Sequence, residues 1–249
     1  MTGTELAKVG VIFFAVSAAL VVLPRLPGIL RIPCELRRKT LHIGAGLVAL
    51  SLPLLFERAT PVAVLSTAIL LLLIALRLST NPVYQIDRVS YGELCIPLAV
   101  FFLFALTRGE RASYYVALMV FTFADSCAAM AGRRWPRYAI SIFGNQKTIA
   151  GSASFLVAAL AVTLGGLALS SGGVSAKSIL TAALISLVLT IVEALSVYGL
   201  DNFLVPAAAF GLLHVMTHTD VWQLGFHFGT DAKFALKLAL QDSTFTLWK

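Results

Sequence analysis

Long apolar runs recur along this chain from Val9 to about Met216, broken only by short polar segments, and that pattern permits few folds. A helix needs roughly 20 apolar residues to cross the hydrocarbon core of a bilayer, and about 17 suffice where flanking side chains snorkel or the bilayer thins. By that measure the spans fall at about 8–29, 41–56, 61–78, 93–107, 113–131, 149–170, 178–198 and 202–217, the second, fourth and eighth being short. The expected fold is an all-α, polytopic transmembrane helical bundle of about eight spans, or seven if the eighth run is re-entrant. Composition agrees: 59% of residues are hydrophobic and 12% charged, whereas a soluble domain carries about 25% charged residues. The run after Lys8 has the length of a signal peptide, but equally apolar runs follow it, so it is read as a retained helix. Residues 1–217 are expected to form one integral-membrane domain. Residues 218–249 form a tail whose Asp231 to Gln241 stretch has the make-up of an interfacial helix.

The net charge of +7 does not point to nucleic acid, because the basic residues flank apolar runs as topology signals and phosphate-binding loops do. Alternating the spans puts Arg31, Arg37, Arg38, Lys39, Arg77, Arg88, Arg133, Arg134, Arg137 and Lys147 on one side, against Arg58, Arg108, Arg111 and Lys177 on the other. The first side is cytoplasmic by the positive-inside rule. Cys34, Cys95 and Cys127 are isolated and lack the spacing of a disulfide framework or a zinc site.

An ionisable residue inside an apolar span is costly and asks for a partner or a function. Asp125 lies about two turns before the cytoplasmic end of the fifth span, among the small residues Ser126, Ala128, Ala129, Ala131 and Gly132. Small residues also mark plain helix packing, yet the Arg133-Arg134 pair just beyond favours a carboxylate for a metal beside cations for phosphate oxygens. Next, Lys147 and Thr148 lie three or four residues from Gly144 and Gly151, at the start of the sixth span. They supply an ammonium, a hydroxyl, backbone donors and a helix dipole for an anion, although an anchoring lysine and a helix cap would look the same. The spacing is not that of a Walker A loop.

Glu193 ends the seventh span on the cytoplasmic side. Eight residues on, about 12 Å if helical, Asp201 and Asn202 follow Gly199, whose presence suggests a break that folds the carboxylates closer. Asp201 or Asn202 would equally serve as a helix cap. His42 follows the basic run Arg37-Arg38-Lys39 at the cytoplasmic start of the second span. Placement joins these fragments, since all fall within a few turns of one membrane face and would line one shallow pocket. Acidic groups for Mg²⁺ and basic groups for phosphates are the equipment of phosphoryl transfer. A lipid alcohol would present its hydroxyl at that depth.

Arg38-Lys-Thr-Leu-His-Ile-Gly, Asp125-Ser-Cys-Ala-Ala-Met-Ala-Gly-Arg, Lys147-Thr-Ile-Ala-Gly-Ser and Glu193-Ala-Leu-Ser-Val-Tyr-Gly-Leu-Asp-Asn-Phe-Leu-Val-Pro occur in that order. Together they resemble the family of phytol kinases, dolichol kinases and CTP-dependent diacylglycerol kinases, over roughly residues 31 to 210. The resemblance implies an Mg²⁺-dependent membrane kinase that moves phosphate from a nucleoside triphosphate, commonly CTP, to a long-chain lipid alcohol. By that similarity Asp125, Glu193 and Asp201 serve the metal and the transfer, and His42 sits near the hydroxyl end as a further catalytic residue. Lys147, Arg133 and Asn202 contact phosphates or the metal shell, and Arg134, Thr148, Gly151 and Lys39 of the same motifs join the nucleotide-binding set. Ser126, Ala129 and Trp135-Pro136 depart from the phytol kinase pattern, so the resemblance does not choose the lipid.

Two other functions fit parts of the pattern. A phosphatidate cytidylyltransferase resembles the stretch from Asp125 to Gly151, but its usual late segment has no counterpart here. An ion-coupled transporter would use Asp125 and Glu193 for its ion, but such sites lie near the midplane, often within an inverted repeat.

Overall fold

The computed structural model describes residues 1–25, 34–78, 90–107, 111–142 and 145–218. Arg31, Arg88, Arg108, Gly144 and the tail from 219, with its expected interfacial helix, lie outside the described residues. Among the described residues, eight helices follow the eight apolar runs: α1 (Gly3–Val22), α2 (Cys34–Leu55), α3 (Ala59–Leu78), α4 (Gly92–Leu106), α5 (Arg111–Arg134), α6 (Ile149–Ser171), α7 (Ala176–Leu195) and α8 (Asp201–His218). Five of them, α1, α3, α5, α6 and α7, are long and apolar enough to cross a membrane, while α4 is apolar but has 15 residues. The expected count of eight spans therefore holds for helices but only in part for spans. The helix α2 begins at Cys34, upstream of the expected start, and so takes the basic residues Arg37, Arg38 and Lys39 into its first turns.

Local chemistry sets the helix ends. Thr2 and Glu5 close a capping box on α1, Glu5 N donating to Thr2 Oγ1 at 3.2 Å and Thr2 N to Glu5 Oε2 at 2.6 Å. Thr148 caps α6, whose far end stops at Gly172 in the left-handed conformation. Between α5 and α6 the chain forms an antiparallel ladder of β1 (Ala139–Ile142) and β2 (Asn145–Thr148), with Ile140 opposite Lys147.

Packing is closest where glycines let backbones meet. A Cβ on Gly46 of α2 would lie 2.0 Å from Thr122 Oγ1 of α5, and one on Gly166 of α6 would lie 2.2 Å from Val116 Cγ2. These approaches pin α2 and α6 to α5, which is the most buried of the five long apolar helices. Tyr114 of α5 is fully buried and donates its hydroxyl to Ala49 O of α2 at 2.8 Å. Residues Met1–Gly211 form one compact unit; of the second, Leu212–Lys249, the described part is the last two turns of α8.

Candidate functional site

Asp125 stands where α5 changes its winding. Val120–Ala124 form a π-helical turn, the kind of interruption that recurs at functional sites because it re-aims side chains and frees carbonyls. Asp125 follows directly, 8% exposed, and its Oδ2 accepts from Lys39 Nζ of α2 at 2.5 Å. His42, one turn further along α2, places Nε2 3.4 Å from the same oxygen and 3.1 Å from Phe121 O in the π turn. A carbonyl only accepts, so Nε2 is the donor, and in the neutral ring Nδ1 is then an acceptor. That Nδ1 is buried and has no partner among the described residues. The close approach at Gly46 fixes the α2–α5 crossing that brings these groups together.

A second cluster forms on Lys147 at the end of β2. Its ammonium bonds Glu193 Oε1 of α7 and lies 3.4 Å from Asp201 Oδ2 of α8. The expected break between the two acids is present: α7 ends at Leu195, Tyr198 and Gly199 take positive φ (54° and 84°), and α8 starts at Asp201. The turn is held against α4, because Tyr91 N donates to Tyr198 O at 2.7 Å, and a Cβ on Gly92 would meet the side-chain nitrogen of Asn202 at 2.5 Å. Burial alone would pull the Lys147 pKa down, but the charges of Asp201 and Glu193, with a smaller contribution from Asp125, raise it overall. Glu193 is 4% exposed, and its second carboxylate oxygen, Oε2, is buried without a hydrogen-bond partner among the described residues.

The remaining expected site residues take simpler places. Thr148 Oγ1 accepts from Gly151 N at 3.1 Å, so these two engage each other as a helix cap. Their helix end docks on α5, where a Cβ on Gly132 would lie 2.7 Å from Thr148 Oγ1. Arg133 and Arg134 are exposed at the end of α5, with Arg134 over the Trp135 ring at 5.6 Å. Asn202 is buried, and its backbone N donates to Asp201 Oδ1 at 3.1 Å.

Two groups were missed by the sequence reading. Arg77 at the end of α3 donates to Glu93 Oε1 at 2.6 Å and to Ser90 O at 2.5 Å, and stacks over the Tyr91 ring. Glu93 Oε2, like Glu193 Oε2, is a buried acceptor without a partner among the described residues. An acid opening one apolar run and an arginine closing the previous one were the available signal. Arg37 was read only as a topology charge, yet its Nε and Nη1 are buried with no acceptor among the described residues, which leaves a guanidinium matched to a phosphate.

Two ammonium groups, three carboxylates and a histidine thus form two ion-paired groups. Among the described residues no three His, Cys, Asp or Glu side chains form a ready metal cage. Mg²⁺ does not need one, since it binds through one or two carboxylates together with the phosphates of a substrate. Asp125, Glu193 and Asp201 offer that chemistry, and the orphaned Glu193 Oε2 is the kind of oxygen that a cation satisfies.

A phytol kinase of Synechocystis sp. is 29% identical to this chain over 182 residues, covering 70% of this chain and 76% of that protein. No family model matches the chain, and no solved structure matches it.

Proposed function

We propose that the chain is a member of the family of polyprenol and other lipid-alcohol kinases, and that it moves the γ-phosphate of a nucleoside triphosphate, CTP foremost, onto the hydroxyl of a long-chain lipid alcohol at the cytoplasmic membrane face. The acceptor is phytol or another prenol, dolichol, or diacylglycerol. The observation that carries this reading is the meeting of four separated segments: Lys39 and His42 with Asp125, and Lys147 with Glu193 and Asp201. Charge-paired groups of both signs at one end of an apolar bundle suit a reaction that works by positioning and charge neutralisation.

In this mechanism Asp125, Glu193 and Asp201 would hold Mg²⁺, which would supply charge neutralisation for the triphosphate. Lys147, now shared by two carboxylates, turns towards the phosphates. Arg133, Arg134 and Arg37 contribute guanidinium donors, and Thr148, Gly151 and Asn202 shape the wall beside them. Lys39 holds Asp125 in place and adds positive charge where the γ-phosphate lies. The lipid oxygen attacks the γ-phosphorus, the bond from that phosphorus to the bridging oxygen breaks, and the nucleoside diphosphate departs. The hydroxyl proton passes to His42 Nδ1, the acceptor that the bond from Nε2 to Phe121 leaves open.

The test is a donor competition with the purified protein in lipid vesicles, comparing CTP, UTP and ATP with and without Mg²⁺. A lipid monophosphate formed with Mg²⁺ and abolished by chelation supports the reading. Pyrophosphate release on adding phosphatidate, with no lipid phosphorylated, assigns the chain to cytidylyl transfer instead.

A further inference from the structure

An apolar cavity of about 420 Å³ lies among α1, α2, α3 and α4, apart from the ion pairs on Lys147. Along α2 it is bounded by His42, Ala45, Val48, Ala49 and Leu52, a helical face with a repeat of three to four residues. Leu65 and Leu73 of α3, Val100 of α4 and Ala15 of α1 supply the other walls. Apart from the Ser66 hydroxyl of α3, its polar groups gather at one end. Arg38 and His42 open α2, Glu93 opens α4, and the lining residues deeper along the same helices are apolar. Two of those end groups carry buried acceptors with no partner among the described residues, His42 Nδ1 and Glu93 Oε2. An empty acceptor at the mouth of an apolar slot costs free energy unless a ligand brings a donor.

Dimensions narrow the ligand. Arg38 and Leu52 both line the slot and lie fourteen positions apart, about 21 Å at the helical rise, or two-thirds of a hydrocarbon core of about 30 Å. Spread over that length, 420 Å³ averages about 20 Å² in section. Non-bonded carbons pack at about 3.5–4 Å, so one chain needs roughly 10–20 Å² and two side by side need twice that. Resting on the kinase reading above, we propose that this slot holds the single hydrocarbon chain of the acceptor alcohol. The hydroxyl lies at the His42 and Glu93 end beside Asp125, and the depth from His42 to Leu52 sets the chain-length preference. The section matches one chain rather than a wider pair, so the acceptor class is a one-chain alcohol of the prenol kind in preference to a two-chain diacylglycerol.

The test uses the full chain in phosphatidylcholine vesicles, with a twenty-carbon alcohol bearing a diazirine at its far end. Photolabel is expected on peptides of α2, α3 or α4 carrying Val48, Leu52, Leu65 or Val100, competed by unlabelled geranylgeraniol and not by diacylglycerol. Two variants block the slot at mid-depth from opposite walls, Val48→Phe and Val100→Phe. Each is expected to lower kcat/KM for a twenty-carbon alcohol roughly tenfold or more while leaving a ten-carbon alcohol within about twofold, with the loss mainly in KM. Label on other helices, equal competition by diacylglycerol, or blocked variants that treat all chain lengths alike while wild type still phosphorylates alcohols would overturn the slot and leave the kinase reading intact. Label in the slot without transfer from any donor would sink the kinase reading and leave the slot.

Discussion

Lys39→Met removes the ammonium that lies 2.5 Å from Asp125 Oδ2, in a pair whose side chains are 7% and 11% exposed. A buried charge stripped of its partner costs about 3–5 kcal/mol. His42 Nε2, 3.4 Å from the same oxygen, recovers part of that, which puts the expected loss near the lower figure. At about 2–4 °C per kcal/mol for a chain of this size, the apparent Tm in detergent should fall by about 6–12 °C. The double variant Lys39→Met with Asp125→Asn removes both charges and should regain most of the loss, with a coupling of about 2 kcal/mol or more. Differential scanning fluorimetry of the four proteins reads the cycle. Single effects that add to within about 0.5 kcal/mol would show that the two side chains do not form the pair, and would refute the α2–α5 geometry on which the site depends.

Adjacent glycines in α6 should behave oppositely: Gly166→Ala, whose Cβ would strike Val116, is expected to cost about 1–3 kcal/mol, while Gly165→Ala, with nothing within 4 Å, should be neutral or stabilising, as thermal unfolding will show. Lys147 has its pKa raised in the folded protein, so its stabilisation is complete below the ordinary lysine value of about 10.4 and fades as pH rises through the displaced one. Wild type and Lys147→Met should therefore differ in stability near neutral pH and converge in strongly alkaline buffer. Gly199→Ala places a Cβ 2.5 Å from Gly92 N at a φ of +84°, and should slow turnover strongly by moving Asp201 away from Lys147. Arg37→Ala should raise KM for the nucleotide at least severalfold, with little change in KM for the lipid, in steady-state kinetics.

Much of the frame was legible in the sequence. Apolar runs located eight helices, because the membrane requirement is written in length and hydropathy, and Gly199 with Asp201-Asn202 announced the break that returns a second carboxylate to Lys147. Partnership was not legible. Lys39 was marked for the nucleotide, and only the crossing of α2 and α5 pairs it with Asp125, 86 positions away. The Arg77–Glu93 bridge and the slot beside it are likewise products of helix packing. No residue pattern signalled the π turn before Asp125 or the hairpin that presents Lys147. Thr148 and Gly151 were marked as nucleotide contacts, and in the structure they cap a helix together, a pairing that either role would produce from the same residues.

The most direct test of the account is transfer of γ-³²P from CTP or ATP, with Mg²⁺, to a panel of phytol, geranylgeraniol, farnesol, dolichol and diacylglycerol, comparing wild type with Asp125→Asn. The account predicts a labelled lipid phosphate from wild type, strongest with a single-chain prenol, and loss of at least 100-fold in the variant, as for removal of a group that positions the reacting phosphate. A folded wild-type protein that labels no lipid from any donor, or an Asp125→Asn variant as active as wild type, would contradict it.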